Sequence, residues 1–144
     1  MRASTAFSAV FKGLVVLRVS YAVLLFSGTM AYRLSGGGPF DIDEHVGAIL
    51  QSFPVWYFVV WGGFVGAYAL AALLLLLRSW LALPVYAIAF AADFLLSLYW
   101  FQQPGMDHLY SGSANLVEWG LNAFDLTVIA ILVLAGSAFT RDPD

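Results

Sequence analysis

Four apolar stretches, each about as long as a helix that crosses a lipid bilayer, dominate this sequence. They cover residues 13–34, 54–77, 81–101 and 113–139. A bilayer core about 30 Å thick needs about 20 helical residues, so each stretch is long enough to span it. The chain is 62% hydrophobic and only 10% charged, which is far from the composition of a water-soluble domain. We therefore predict a single all-α domain over residues 1–144, a polytopic membrane protein with four transmembrane helices.

Glycine and proline indicate where these helices begin and end. The first is expected to stop at Gly36-Gly37-Gly38-Pro39, because both Gly and Pro destabilise the interior of a helix. Pro54 stands near the start of the second helix, where its missing N–H costs nothing. The second and third helices are joined only by a short segment around Arg78 and Ser79, which predicts a tight antiparallel hairpin. The expected architecture is an antiparallel four-helix bundle.

The positions of the basic residues predict how the helices are oriented. Four of them fall on one side of the expected bundle: Arg2, Lys12, Arg78 and Arg141. Arg33 alone falls on the other side. By the positive-inside rule, both termini are expected in the cytoplasm. Arg18 interrupts the first apolar stretch and no A-x-A cleavage signal follows, so we expect a retained helix and not a secretory signal.

Several classes of function are disfavoured by composition and motifs. The sequence has no Lys/Arg cluster that could neutralise the phosphates of a nucleic acid, and it has no Cys. Thiolate metal sites and Cys nucleophiles are therefore excluded. Phosphate-binding loops, dinucleotide motifs and the G-x-S-x-G nucleophile motif are absent as well. We predict no enzymatic activity, no cofactor and no nucleic-acid partner.

Two polar loops can be compared with metal sites. The first loop holds an acidic group that lacks both the spacing of a calcium loop and a second His for zinc: Asp41, Asp43, Glu44 and His45. The second loop offers only Asp107 and His108, which is a weaker pattern. We expect both to be solvated loops on the outer side of the membrane, with no bound metal.

Small residues predict where the helices approach one another. Lipid tails are as apolar as Leu, so close packing and interhelical hydrogen bonds must hold the bundle together. The expected packing positions are small residues at four-residue spacing on the second and third helices: Gly62, Gly63, Gly66, Ala67, Ala87 and Ala91. Such stripes usually serve packing within a chain, and homodimerisation through Gly62 and Gly66 is the alternative.

Ionisable residues within the apolar stretches are the strongest indication of a site. A charge near the middle of a bilayer costs at least about 2.5 kcal/mol and is normally hidden or paired. Spacings of 3, 4 and 3 place four polar residues on one face of the fourth helix: Asn115, Glu118, Asn122 and Asp125. The helical rise puts Asp93 and Asp125 near the midplane, and Arg18 only a turn or two from the cytoplasmic end.

Two interpretations of this polar set remain open. Two carboxyl groups beside a single Arg18 cannot comfortably both be ionised, so one is expected to hold a proton at neutral pH. In the favoured interpretation, Arg18 bonds Asp93 or Asp125 in a structural network that the Asn side chains complete. In the alternative, Asp93 and Asp125 form a proton relay or a solute site that opens outward along Glu118 and Asn115 toward Asp107 and His108.

Residues 50–100, which contain the second and third predicted helices, follow one recognisable pattern. It consists of a Pro54-Val55-Trp56 helix start, Gly62-Gly63 in the middle, and a Leu run that ends in Arg78-Ser79-Trp80 and continues to Pro84. This pattern resembles a group of small proteobacterial inner-membrane proteins, some of which are labelled sugar transporters. The pattern contains no catalytic residue, so the resemblance implies a four-helix bacterial membrane protein and very little chemistry.

The sequence therefore predicts a non-enzymatic membrane protein, either an accessory subunit or a small bundle with a buried polar network. A proton-coupled or small-solute transporter that uses the intramembrane carboxyl groups is the first alternative. A lipid- or quinone-binding protein is the second. The expected partners are membrane lipid, together with other membrane subunits or a second copy of the chain.

Overall fold

The computed structural model describes residues 5–36, 41–106 and 113–139. Within these ranges the chain forms five α-helices and no strand. Their bounds are α1 Thr5–Ser35, α2 Glu44–Ser52, α3 Val55–Leu76, α4 Ala82–Phe101 and α5 Ser113–Phe139. Helices α1, α3, α4 and α5 are long and apolar enough to cross a membrane. The prediction of an all-helical chain with four membrane-length apolar helices is thus confirmed.

Helix α1 begins earlier than the sequence predicted. It starts at Thr5 instead of near Gly13, because residues 5–12 contain no proline and Lys12 can extend its charged end away from the apolar surface. With 31 residues in α1, Arg18 lies near the middle of the helix. Its hydrogen bonds to Asp93 and Asp125 put its guanidinium level with the two carboxyl groups.

Helix α2 occupies a segment that was predicted to be a solvated loop. Asp43 caps its N-terminus, since the Asp43 Oδ1 atom accepts a hydrogen bond of 2.9 Å from the backbone N–H of His45. The side chains of Asp43, Glu44 and His45 are exposed, as a solvated group would be. Two local signals for it were missed: the Asp43 cap, and the four-residue spacing of the apolar residues Ile42, Val46 and Leu50.

Arg33 holds the other end of α2 against α3. Its Nη1 atom donates hydrogen bonds of 2.8 Å to the carbonyl of Leu50 and 3.0 Å to the carbonyl of Phe53. The guanidinium also lies 4.1 Å from the centre of the Phe58 ring. A cation at the C-terminal end of a helix is favourable, because the unpaired carbonyls there carry partial negative charge. Arg33 therefore positions α2 over one end of the bundle.

Helices α3 and α4 form the closely packed hairpin that the short connection predicted. The turn has Arg78 in the left-handed region, with φ of 60°. The Ser79 N–H donates to the Leu74 carbonyl at 2.8 Å and the Arg78 N–H to the Leu75 carbonyl at 3.2 Å, which is the Schellman pattern. Arg78 thus ends α3, and α2 lies at the opposite end of that helix.

The packed interfaces contain only some of the small residues that the spacing suggested, and other small residues as well. Buried alanines line the interior of α3 and α4: Ala71, Ala72, Ala82 and Ala89. Gly62 does admit a close neighbour, since an added Cβ would lie 2.9 Å from the Phe26 ring.

The remaining predicted packing positions lie nearer the surface. Ala67 and Ala87 are half-buried, whereas Gly63, Gly66 and Ala91 are exposed. A Cβ added at Gly63 or Gly66 would meet no atom of the described chain within 4 Å. The two glycines and Ala91 therefore lie outside the hairpin interface, because four-residue spacing defines a stripe without showing which way it faces.

Candidate functional site

Arg18 connects α1 to α4 and α5 in the middle of the bundle. Its Nη2 atom donates hydrogen bonds to Asp93 Oδ2 at 3.1 Å and to Asp125 Oδ2 at 2.8 Å. The Arg18 side chain is only 8% exposed. Charges this deeply buried persist only where partners and hydrogen bonds compensate for lost solvation. The structure therefore brings together three of the ionisable residues that the apolar stretches contain.

Two tyrosines that the sequence analysis did not single out complete the surroundings of Asp125. The Tyr68 hydroxyl donates to Asp125 Oδ2 at 3.0 Å, and the Tyr86 hydroxyl donates to Asp125 Oδ1 at 2.5 Å. Both tyrosines are fully buried, and their rings pack edge to face at 5.0 Å. The Tyr68 ring also lies 5.2 Å from the Arg18 guanidinium. The available signal was a Tyr within an apolar helix, since a buried phenol usually has a hydrogen-bond partner.

Asp93 and Asp125 differ in how completely they are enclosed. Both oxygens of Asp125 accept hydrogen bonds, and its side chain is 1% exposed. Asp93 uses only Oδ2, which accepts from Arg18 and, at 3.4 Å, from Tyr68. Its Oδ1 atom has no hydrogen bond to the described part of the chain, and its side chain is 22% exposed. We call Asp125 closed, because both of its oxygens accept hydrogen bonds and its side chain is enclosed. We call Asp93 open, because one of its oxygens accepts none within the described part of the chain.

A cavity of about 300 Å³ lies beside Arg18 and Asp93. It occupies the space between α1 and α5, which meet at the ring pair Phe11–Phe139, 4.8 Å apart, and again at the Arg18–Asp125 bond. Three apolar residues of the α2 region cover it at four-residue spacing: Ile42, Val46 and Leu50. This volume is at the lower end of the range found for small-molecule sites. The cavity can therefore hold a small solute.

The polar wall of the cavity is formed by α4 and α5. Glu118 Oε1 accepts a hydrogen bond of 2.9 Å from Ser97 Oγ, and Asn122 Nδ2 donates to the Glu118 carbonyl at 3.1 Å. Asp93, Ser97, Glu118 and Asn122 all line the cavity. Among the described residues, no hydrogen bond reaches the second carboxylate oxygen of Glu118. Two carboxyl groups of this wall, those of Asp93 and Glu118, thus keep acceptor capacity for a ligand or water.

Asn115, the first residue of the predicted polar face of α5, does not line the cavity. It is exposed, although it lies one helical turn before Glu118. Asp107 and His108, toward which the predicted opening was directed, lie outside the described residues. The observed cavity is instead covered by α2.

Aromatic side chains form much of the remaining wall, and two buried donors in the wall are unpaired. The cavity rings are Tyr21, Tyr57, Trp61, Phe64 and Trp100. Over the described ranges, Arg18 Nε and Trp100 Nε1 are buried without a hydrogen-bond acceptor. A buried donor without a partner costs roughly 1–3 kcal/mol. Neither nitrogen has accessible surface, so both lie behind the cavity surface. What the cavity presents to a solute is therefore its rings and its open carboxylate oxygens.

Comparisons with models of protein families, with curated proteins and with solved structures find no match for this chain. What the site can do is therefore inferred from its own geometry.

Proposed function

We propose that this chain is a non-enzymatic membrane protein that binds a small solute in the cavity beside Asp93, as the solute site of a small transporter. The observation that carries the proposal is the open oxygen of Asp93. Asp93 shares Arg18 with Asp125, yet its side chain is 22% exposed where that of Asp125 is 1% exposed. Ionisable groups within membranes are costly and mark solute or ion pathways when they face a cavity.

The two interpretations left open by the sequence then apply to different residues. Asp125, with Arg18, Tyr68 and Tyr86, has the closed hydrogen bonding of a structural junction between helices. Asp93 faces the cavity and is available to a solute. The proposal thus combines a structural network at Asp125 with a binding site at Asp93, and it favours the transporter alternative over a purely structural bundle.

The partners we propose are the solute and membrane lipid. An accessory role in a larger assembly would add to this site without replacing it.

We also propose that the protein lies in a bacterial inner membrane with both termini in the cytoplasm, as the basic residues predict. The cavity cover, α2, lies at the end of α3 opposite Arg78 and would then be on the outer side. A green fluorescent protein fused to the C-terminus is expected to fluoresce, whereas alkaline phosphatase fused there should be inactive. The reverse pattern would place the C-terminus outside.

Access to the cavity can be tested with a single thiol, because the sequence contains no Cys. Ser97→Cys places that thiol in the cavity wall. Since the thiolate is the reactive form, it should react with methyl methanethiosulfonate only where water or polar groups allow ionisation. Ser20→Cys is the matched control, because Ser20 is exposed on α1 but is not among the cavity residues.

In lipid nanodiscs, the thiol of Ser97→Cys is expected to react at least about tenfold faster than that of Ser20→Cys, as followed by intact-protein mass spectrometry. An unreactive thiol at position 97 would show that the cavity is closed to solutes. That result would contradict the proposed function.

A further inference from the structure

We infer that the cavity takes a small organic cation, such as one with an ammonium group. This inference rests on the proposed function, because it names the class of solute for the same site. Two independent properties of the cavity wall support it: its charge and its rings.

The charge in and beside the cavity is negative. Among the described residues that line the cavity, Arg18 is the one positive group, and Asp93 and Glu118 are the two carboxyl groups. Asp125, bonded to Arg18 just outside the lining, adds a third carboxyl group to this set. Even if one carboxyl group holds a proton, the set keeps a net negative charge. Arg18 already bonds two of the carboxyl groups and has no contact with Glu118 in the described structure. In a low dielectric the remaining negative charge favours a cation and disfavours an anion.

The rings of the cavity reinforce this preference. Trp61, Tyr57 and Phe64 of α3 line one side, and Tyr21 and Trp100 contribute from α1 and α4. The face of an aromatic ring carries partial negative charge and attracts a cation, most strongly in Trp, and aromatic walls are the usual means of holding quaternary ammonium groups. An ammonium group between these rings and the carboxylates of Asp93 and Glu118 would be stabilised from both sides.

The carboxyl group and the rings can be reached by one cation. Asp93, Ser97 and Trp100 are spaced by four and three residues, so they follow one face of α4 over about 10 Å. An ammonium group near Asp93 would therefore lie within reach of a ring on the same face. Ammonium groups occur both in free solutes and in lipid headgroups.

The test uses the Ser97→Cys variant in nanodiscs of phosphatidylglycerol, whose headgroup contains no ammonium. The rate of thiol modification is measured with three probes of one shape: choline, the uncharged 3,3-dimethylbutan-1-ol and the anionic 3,3-dimethylbutanoate. Choline is expected to slow the reaction saturably, with a half-protecting concentration at least about tenfold below that of either other probe. The uncharged alcohol keeps the hydroxyl, so this comparison isolates the charge.

Substitutions in the wall test the two attractive features separately. Glu118→Gln and Trp61→Leu, each in the Ser97→Cys background, are expected to raise the half-protecting choline concentration at least about fivefold. Trp119→Leu is the matched control, because Trp119 is exposed on α5 and is not among the cavity residues. It should leave choline protection unchanged. If Trp61→Leu fails to assemble, Glu118→Gln still decides the contribution of charge.

Equal protection by the alcohol or the anion would overturn the cation assignment, as would a reactive thiol that choline does not protect. In both cases the cavity would still be a solute site, so the proposed function would stand. An unreactive thiol would overturn both. Repeating the measurement in phosphatidylcholine nanodiscs distinguishes the sources: protection without added choline identifies the lipid headgroup, and its absence identifies a free solute.

Discussion

Arg18→Met is expected to destabilise the bundle by about 3–5 kcal/mol, or to prevent its assembly, because it removes one partner of a buried ion network and leaves the others uncompensated. Asp93 and Asp125 would lose their shared cation within the apolar interior. The measurement is reversible unfolding in detergent micelles, followed by circular dichroism. Arg78→Met is the matched control: Arg78 is exposed at the α3–α4 turn, so the same substitution there should cost less than about 0.5 kcal/mol.

A compensated variant distinguishes loss of charge balance from loss of packing. Arg18→Met combined with Asp93→Asn and Asp125→Asn leaves no charge in the Arg18 network, and the amide introduced at position 125 can still bond the two buried tyrosines. At least about half of the lost stability should return, because replacing a whole buried ion network costs far less than breaking it. Wild-type stability in Arg18→Met alone would show that this network does not hold the helices together.

The two aspartates are expected to respond very differently to removal. Asp125→Ala takes away three hydrogen bonds and leaves the hydroxyls of Tyr68 and Tyr86 buried without their main acceptor, so we expect a loss of at least about 3 kcal/mol. Asp93→Ala leaves Arg18 bonded to Asp125 and should cost only about 1 kcal/mol. Unfolding in the same micelles measures both.

Binding should show the opposite order. Asp93→Asn, in the Ser97→Cys background, is expected to abolish protection by choline, while the variant still assembles as the parent does. Tyr86→Phe, which removes one hydrogen bond to Asp125 outside the cavity lining, should lower stability by about 1 kcal/mol and leave protection in place. Equal destabilisation by Asp93→Ala and Asp125→Ala would contradict the division between an open and a closed carboxyl group.

Residue patterns predicted much of the polar site. The period of α5 correctly put Glu118, Asn122 and Asp125 toward the interior, since a helix has one face for residues three and four apart. It also included Asn115, which is exposed, because a helix end can extend beyond the elements that would bury its inner face. The partners Tyr68 and Tyr86 were missed because Tyr in an apolar helix is equally compatible with a membrane-interface position.

The two largest errors of the sequence-based prediction concern where α1 begins and which way the glycine face of α3 points. The start of α1 was placed too late, because apolarity defines only the part of a helix that lies within lipid, while α1 continues to Thr5. Exposure of Gly63 and Gly66 shows a second limit. Spacing specifies which residues share a face, but the rotation of that face depends on every neighbouring helix.

The sequence by itself determined the number and type of the long helices. In a bilayer the backbone must satisfy its own hydrogen bonds, so an apolar run of sufficient length has almost no alternative to a helix. Only the tertiary structure decided which aspartate is closed and which is open. Asp93 and Asp125 look equivalent along the chain, but the tyrosines of α3 and α4 enclose Asp125, while the gap between α1 and α5 leaves Asp93 at a cavity. That difference arises from how the helices are placed against one another, which no local pattern encodes.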